Sequence, residues 1–442
     1  MKIQLPEKVQ EIIGALQDGG FEAWAVGGCV RDSILGRTPE DWDITTSAMP
    51  EEVKRLFPRT FDTGIAHGTV TVVLEHENFE VTTYRIDGEY EDSRHPKEVT
   101  FTRSLKEDLL RRDFTINAMA YNGEKGLVDL FGGMEDLSAG IIRCVGSPEE
   151  RFSEDALRIL RAVRFGAQLG FSIEEKTREA IRDRAGDLRR ISAERIQTEL
   201  VKLLVSFHPE KIRDAWELGI TGVILPEFDR MMETEQETPY HCYNVGEHTI
   251  HALMAVEPEK ILRLTMLFHD MGKPEKKTVD ETGRAHFKGH AEVSARIASG
   301  IMRRLKFDND TRQKVEKLVY YHDYRMPAQA RNVRRAMNRI GEELFPRYLK
   351  VRRADTAAQS SYLKEEKEAN LAGVEQCYRD ILERQECVSL KTLAVNGGDL
   401  IKLGINPGPE IGKILNALLA EVLEHPEKNQ KEVLLEMAKN QA

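Results

Sequence analysis

The sequence predicts an α+β head followed by an all-α remainder. Runs rich in β-branched and aromatic residues, bounded by Gly, Asp or Pro, fall within the first 145 residues. From about Glu149 strand signals almost vanish, and apolar residues recur at helical spacing between Pro and Gly breaks. The head, 1–145, is expected to be an antiparallel sheet with helices. A helical neck over 146–215, a third region over 216–360 and a helical tail over 361–442 are expected behind it.

Taken in order, MKIQLPEKVQEIIGAL is an amphipathic helix pattern containing acids, unlike a charged segment followed by an apolar core. FEAWAV, DWDITT, GTVTVVLEH and FEVTTYR are the strand candidates. SEDALRILRAVRFGAQLGF is expected to be one helix with Ser153 as its N-cap. Near the end, VNGGDLIKLGINPGPEIGKIL predicts a helix-loop-helix.

The 442 residues, 40% hydrophobic and 31% charged, have ordinary globular composition, enough for about two to four domains. No apolar run approaches the roughly 20 residues that span a bilayer, so a soluble, cytoplasmic protein with no membrane partner is expected. Cys29, Cys144, Cys242, Cys377 and Cys387 are dispersed without CxxC spacing, which fits reduced thiols and excludes a disulfide scaffold. The net charge of −10 argues against nucleic acid. Residues 301–353, however, hold 15 Lys and Arg against 6 Asp and Glu, either solvated helix faces or a phosphate track.

Three features of the head carry chemistry. Val26-Gly27-Gly28-Cys29-Val30-Arg31-Asp32 follows a strand and opens a helix; its glycines allow close approach of an anion, and Arg31 can fork onto phosphate. Alone, such a Gly-Gly pair is more often a tight strand-to-helix turn. Asp41 and Asp43, two apart before a β-branched run, project together, and paired carboxylates repel unless a cation lies between them. They are the hard oxygen ligands Mg²⁺ takes beside substrate phosphates, and Glu80 is a third acid inside a strand. Finally, RRDFTINAMA has a polar head and apolar tail that fit a helix whose first turn faces a ligand.

GGCVRD, DWD, FEVTTYR, RRDFTINAMA, DLFGG and EDALRILRAVRF stand in the order found in class II nucleotidyltransferases, the tRNA CCA-adding enzymes and bacterial poly(A) polymerases, which the first 170 residues resemble closely. TGIAHGTVTVV and the loop TYRIDGEYEDSRHPKEVTF resemble the CCA-adding branch. The resemblance implies template-independent addition and repair of the tRNA 3′-terminal CCA from CTP and ATP with Mg²⁺. It makes Asp41 and Asp43 the metal-binding pair, Glu80 the supporting acid, and Gly28 and Arg31 the triphosphate contacts. Asp155 and Arg158 match the base-reading pair, and Arg112, Arg161 and Arg164 further nucleotide contacts. A poly(A) polymerase or A-adding enzyme would share the chemistry with another product.

Behind the head, His248, His269-Asp270, His290, His322 and Asp355 follow in an order that resembles HD-domain metal phosphohydrolases. The resemblance implies that His248, His269, Asp270 and Asp355 hold a divalent metal (Mn, Ni or Fe), with His290 and His322 adding a second. It admits a reading of another class, a hydrolase acting on RNA ends or nucleotides. The tail shows nothing catalytic; it would grip the tRNA or cap the body.

Overall fold

The computed structural model describes residues 2–88 and 99–440, and the chain divides into two compact units, Met1–Pro226 and Glu227–Ala442.

The first unit opens with α1 (Glu7–Asp18), which buries Val9, Ile12, Ile13 and Leu16 at helical spacing. There follow β1 (Ala23–Val26), α2 (Gly28–Ile34), β2 (Ile44–Thr46), α3 (Pro50–Leu56), β3 (Thr60–Gly64), β4 (Thr69–Leu74) and β5 (Glu77–Thr83). Then come β6 (Arg85–Asp87), β7 (Val99–Phe101), α4 (Leu105–Leu110), β8 (Met119–Asn122) and β9 (Gly126–Asp129). Seven strands form one sheet in the order β3-β4-β5-β2-β1-β8-β9, and β6 pairs with β7 in a separate ribbon. Residues 89–98 of the loop that resembles CCA-adding enzymes lie outside the described residues.

The sheet is mixed, which corrects the expected antiparallel one: β2 and β5 run parallel, while the other paired strands are antiparallel. Between β2 and β5 the chain passes through α3 and the β3–β4 hairpin, the long crossover a parallel pair requires. The register Ile44↔Val81 brings Asp43, just before β2, level with Glu80 in the middle of β5.

RRDFTINAMA also departs from expectation. Arg111–Asp113 is a turn, Thr115–Asn117 a single 3₁₀ turn, and Met119–Asn122 the strand β8, paired with both β1 and β9. Every residue of β8 is buried. A short, wholly buried apolar run has no periodicity that separates strand from helix, and here sheet pairing decides it.

Beyond the sheet lie α5 (Gly133–Ala139), α6 (Pro148–Glu154), α7 (Leu157–Leu169), α8 (Glu175–Arg184) and α9 (Ala193–Leu204). The expected single helix capped by Ser153 is two helices. Pro148 starts α6 earlier, with Ser147 as its N-cap, so Ser153 sits inside it. The chain turns extended at Asp155 (φ −137°, ψ 102°) before α7 begins.

The second unit is helical apart from the short strands Thr278–Val279 and Ala285–His286. Leu318, Val333, Phe345, Leu400, Leu418 and Leu434 share one core. The Gly/Pro-rich stretch forms helices Gly397–Lys402 and Pro409–Glu424 around a loop, as expected. Cations of the 301–353 run pair with acids outside it: Arg304 with Glu227 (2.8 Å), Arg334 with Glu386 (2.7 Å), Arg347 with Glu259 (2.6 Å) and Lys350 with Glu257 (2.6 Å). These pairs favour ion-paired helix faces over a phosphate track. Among the described residues no helix is long and apolar enough to cross a membrane.

Candidate active site and a buried histidine–aspartate cluster

The head site is built where β1 ends and β2 begins, beside the middle of β5. Gly27 turns the chain from β1 into α2 at φ +85°, a left-handed conformation that suits glycine. A Cβ there would lie 3.0 Å from Arg112 Nη1, so a side chain would push that guanidinium away. Asp43 precedes β2, and its carbonyl accepts from Val26 N (3.0 Å), tying the acid to β1. On β5, Phe79 and Val81 face the core while Glu80 points to the open side.

Asp41, Asp43 and Glu80 line one cavity of about 1130 Å³. The carboxylates reach solvent, yet the walls withdraw enough water to matter. Desolvation, with the charge of Asp41, raises the Asp43 pKa against the pull of Arg112. Desolvation and the charges of Asp43 and Asp41 likewise raise Glu80. Three oxygen donors that crowd one another in this way fit a hard divalent cation.

A second cavity, about 570 Å³, shares Asp41 and Asp43 and adds Gly28, Arg31, Arg37, Lys202 and Phe207. Neither cavity is lined by Arg112, Asp155, Arg158, Arg161 or Arg164. A buried network links part of that set to Arg31. Arg31 donates to Asn117 Oδ1 (2.7 Å), Asn117 to Asp113 Oδ1 (3.1 Å), and Arg161 to Asp113 Oδ2 (2.9 and 2.5 Å). Arg164 bonds Glu199 (2.8 Å) and lies over the Phe165 ring at 3.5 Å, with Arg31 and Arg161 on the same ring at 5.1 and 5.3 Å.

The Asp155 and Arg158 side chains, expected on one helix, do not bind each other. Asp155 binds Arg195 (2.7 Å), while Arg158 donates to Glu154 (2.5 Å) and to the carbonyls of Arg151 (3.1 Å) and Arg111 (2.9 Å). The break at Asp155 is the cause, since an extended residue carries its side chain off the helix face. Asp108, Asp113, Glu199 and Arg195 were missed in the sequence. Buried Asp108 receives Arg111 (2.9 and 3.0 Å) and the Thr45 hydroxyl (3.0 Å), anchoring the Arg111–Asp113 turn to β2.

In the second unit the residues expected to act together do come together. His248 stands on helix Val245–Ala255, His269 and Asp270 at the end of Lys260–Phe268, and His290 at the start of His290–Arg304. His322 follows Asn309–Tyr321, and Asp355 lies on Phe345–Ala357. Each imidazole Nδ1 is anchored on a backbone carbonyl: Ala358 (3.2 Å), Met266 (2.6 Å), Phe287 (2.8 Å) and Val319 (2.7 Å), in chain order of the histidines. All four Nε2 atoms therefore turn inward.

They converge on Asp270. Its Oδ2 lies 3.5 Å from His248 and 3.2 Å from His269, and its Oδ1 3.4 Å from His290 and 3.6 Å from His322. Asp355 adds a contact to His248 (3.1 Å). Two sets of ligand atoms close enough for an ion result, His248–His269–Asp270 and Asp270–His290–His322. Both Asp270 oxygens are buried without a hydrogen bond of ordinary geometry, although Lys273 Nζ lies 2.7 Å away. Burial opposes the charge, but the imidazoles and Lys273 hold the Asp270 carboxyl well below the usual range. Anchored imidazoles around an unsatisfied carboxylate are a nitrogen and oxygen donor set that fits Mn, Fe or Ni.

Gly272 makes this convergence possible. A Cβ there would meet His290 O at 2.5 Å and Ser294 N at 2.7 Å, both backbone. Gly272→Ala is expected to destabilise the protein by roughly 1–3 kcal/mol, read as a lowered thermal midpoint.

A mixed sheet with paired acids beside a Gly-Gly turn, followed by helices, is a nucleotidyltransferase head. Residues 23–143 match the poly A polymerase head domain model, 170–232 the probable RNA and SrmB-binding site of polymerase A, and 285–438 a putative tRNA nucleotidyltransferase domain 2. The chain is 37% identical to the CCA-adding enzyme of Lactiplantibacillus plantarum, over 99% of this chain and 97% of that one. It is 36% identical to that of Enterococcus faecalis with the same coverage. The solved Bacillus stearothermophilus CCA-adding enzyme in complex with CTP matches with a TM-score of 0.73 at 30% identity, covering 99% of this chain and 98% of that one. The protein belongs to the CCA-adding enzyme family.

Proposed function

We propose that this protein adds and repairs the 3′-terminal CCA of tRNA, using CTP, ATP and Mg²⁺, in the cytoplasm. The observation that carries this is the crowded triad Asp41, Asp43 and Glu80 beside the Gly27–Gly28 turn. Asp41 and Asp43 would hold the metal, which when bound activates the attacking hydroxyl and offsets charge on the leaving phosphates. Glu80 supports the pair. Gly28 and Arg31 hold the triphosphate, and Arg112 lies over the same turn.

The base is read by Asp155 and Arg158, each fixed by a separate partner. A carboxylate acceptor and a guanidinium donor meet the N4 donor and N3 acceptor of cytosine, or N6 and N1 of adenine. Uracil and guanine present the opposite order and would leave a buried charge unpaired. Arg158→Ala is expected to raise UTP and GTP incorporation relative to CTP and ATP by at least tenfold (about 1.4 kcal/mol of discrimination), read by single-nucleotide extension. Unchanged selectivity would move base reading to other residues. Arg161 and Arg164, fixed around Phe165, complete the nucleotide contacts. The match of 170–232 to an RNA-binding model supports contact with tRNA.

With CTP alone, a tRNA transcript ending at the discriminator base should gain two residues. Extension only of a CC-ended transcript, by A, would identify an A-adding enzyme instead. RNA binding should weaken as salt rises despite the net −10.

The histidine–aspartate cluster supports a second activity, metal-dependent hydrolysis of a phosphoester at RNA ends or on nucleotides. His248, His269, Asp270 and Asp355 would hold one divalent metal, and Asp270, His290 and His322 a second. Bound metal supplies an activated water. On this reading the chain comprises a head (1–145), a neck (146–215), an HD domain (216–360) and a tail (361–442).

A further inference from the structure

Two cavities share Asp41 and Asp43, and their walls differ in charge. The larger is lined by eight carboxylates and one amine, Lys8, itself paired with Glu77 (2.8 Å) and Glu75 (3.2 Å). A strand of phosphates passing that wall meets repulsion over its whole length. The smaller cavity sets Arg31, Arg37 and Lys202 against the four carboxylates of Asp32, Glu40, Asp41 and Asp43, and adds the ring of Phe207.

We propose that the 3′-terminal nucleotide of the RNA substrate stacks its base on Phe207 in the smaller cavity, with Arg37 and Lys202 holding the phosphates behind it, while Gly28 and Arg31 of the same cavity keep the triphosphate of the incoming nucleotide. This rests on the reading that the head extends RNA. Phe207 is 83% exposed, the most exposed large hydrophobic side chain among the described residues. It is presented by a closed turn: Ser206 N donates to Leu203 O (3.2 Å), and His208 N to Ser206 Oγ (3.2 Å).

Arg37 and Lys202 are both exposed, and among the described residues neither is paired with a carboxylate, although Arg37 donates to the Gln168 carbonyl (3.4 Å). By contrast Arg31, Arg161, Arg164 and Arg195 are all committed to carboxylates. Uncommitted cations beside an exposed ring are what a single strand needs, because every base offers a face and every residue a phosphate. The shared Asp41 and Asp43 bring a hydroxyl bound there to the acids.

The test uses the full-length enzyme and a tRNA transcript ending at the discriminator base, with 2-aminopurine at that position. Phe207→Ala should raise KM for the transcript by about five- to 150-fold while KM for CTP stays unchanged. The quenching of 2-aminopurine on binding should be lost in Phe207→Ala and kept in Phe207→Trp. Arg37→Ala with Lys202→Ala should lower the slope of log affinity against log salt by about 1.4. A Phe207→Ala enzyme with unchanged KM and quenching overturns the proposal. A raised KM for CTP with that for RNA unchanged also overturns it, since the incoming nucleotide would then be what Phe207 contacts. If the unaltered enzyme extends no transcript, the reading of the head as an RNA-extending site fails instead.

Discussion

Asp43→Ala is expected to lower nucleotide addition by about a thousandfold or more while leaving the fold intact, and Asp41→Ala to do the same. The magnitude follows from the role: a metal stabilising the reacting phosphate contributes several kcal/mol, and each 1.36 kcal/mol is tenfold in rate. The intact fold follows from the electrostatics. Asp43 and Glu80 have raised pKa values because desolvation and neighbouring acids disfavour their ionised forms. At neutral pH the charged carboxylates therefore oppose folding, and removing one relieves repulsion. The thermal midpoint should hold or rise as activity collapses, the opposite of what loss of a structural residue produces. Extension assays and thermal melts on the same preparations check both halves. Retained addition in either variant would remove the acids from the chemistry.

The second large effect is expected at Asp270. It alone belongs to both sets of ligand atoms in the second unit. Asp270→Asn should lower bound divalent metal from about two equivalents per chain towards none, measured by elemental analysis after dialysis against Mn²⁺ or Ni²⁺. Lys273 then loses the partner at 2.7 Å, and an unpaired buried charge costs about 3–5 kcal/mol, so some destabilisation should accompany the loss. His290→Gln isolates the metal effect. It leaves the Asp270–Lys273 pair intact and should remove one equivalent only. CTP addition should survive both variants that remain folded. An unaltered protein that retains no metal, or an Asp270→Asn variant that binds as much as the parent, would contradict the centre.

The elements most legible in the sequence were those whose evidence is local. The α1 stripe, the strand candidates and the Gly-Gly turn needed only periodicity and flanking residues. The histidine–aspartate cluster was legible as an ordered pattern, and its members converge from five helices. What failed depended on partners far along the chain. RRDFTINAMA became a turn and a strand because β1 and β9 pair with it on either side. The parallel β2–β5 pair was hidden because each strand alone carries no direction. Asp155 and Arg158 were expected on one helix, but Pro148 starts a helix that ends before Asp155. The supports escaped for the same reason: Arg195 meets Asp155 from 40 residues away, and Arg161 meets Asp113 from 48.

The proposed activity of the head is to build CCA without a template. The most direct measurement is the length and sequence of the product formed from a tRNA transcript ending at the discriminator base, with CTP, ATP and Mg²⁺. Two C residues, one A and a stop are expected. A ladder of A residues, or no extension at all, would contradict it.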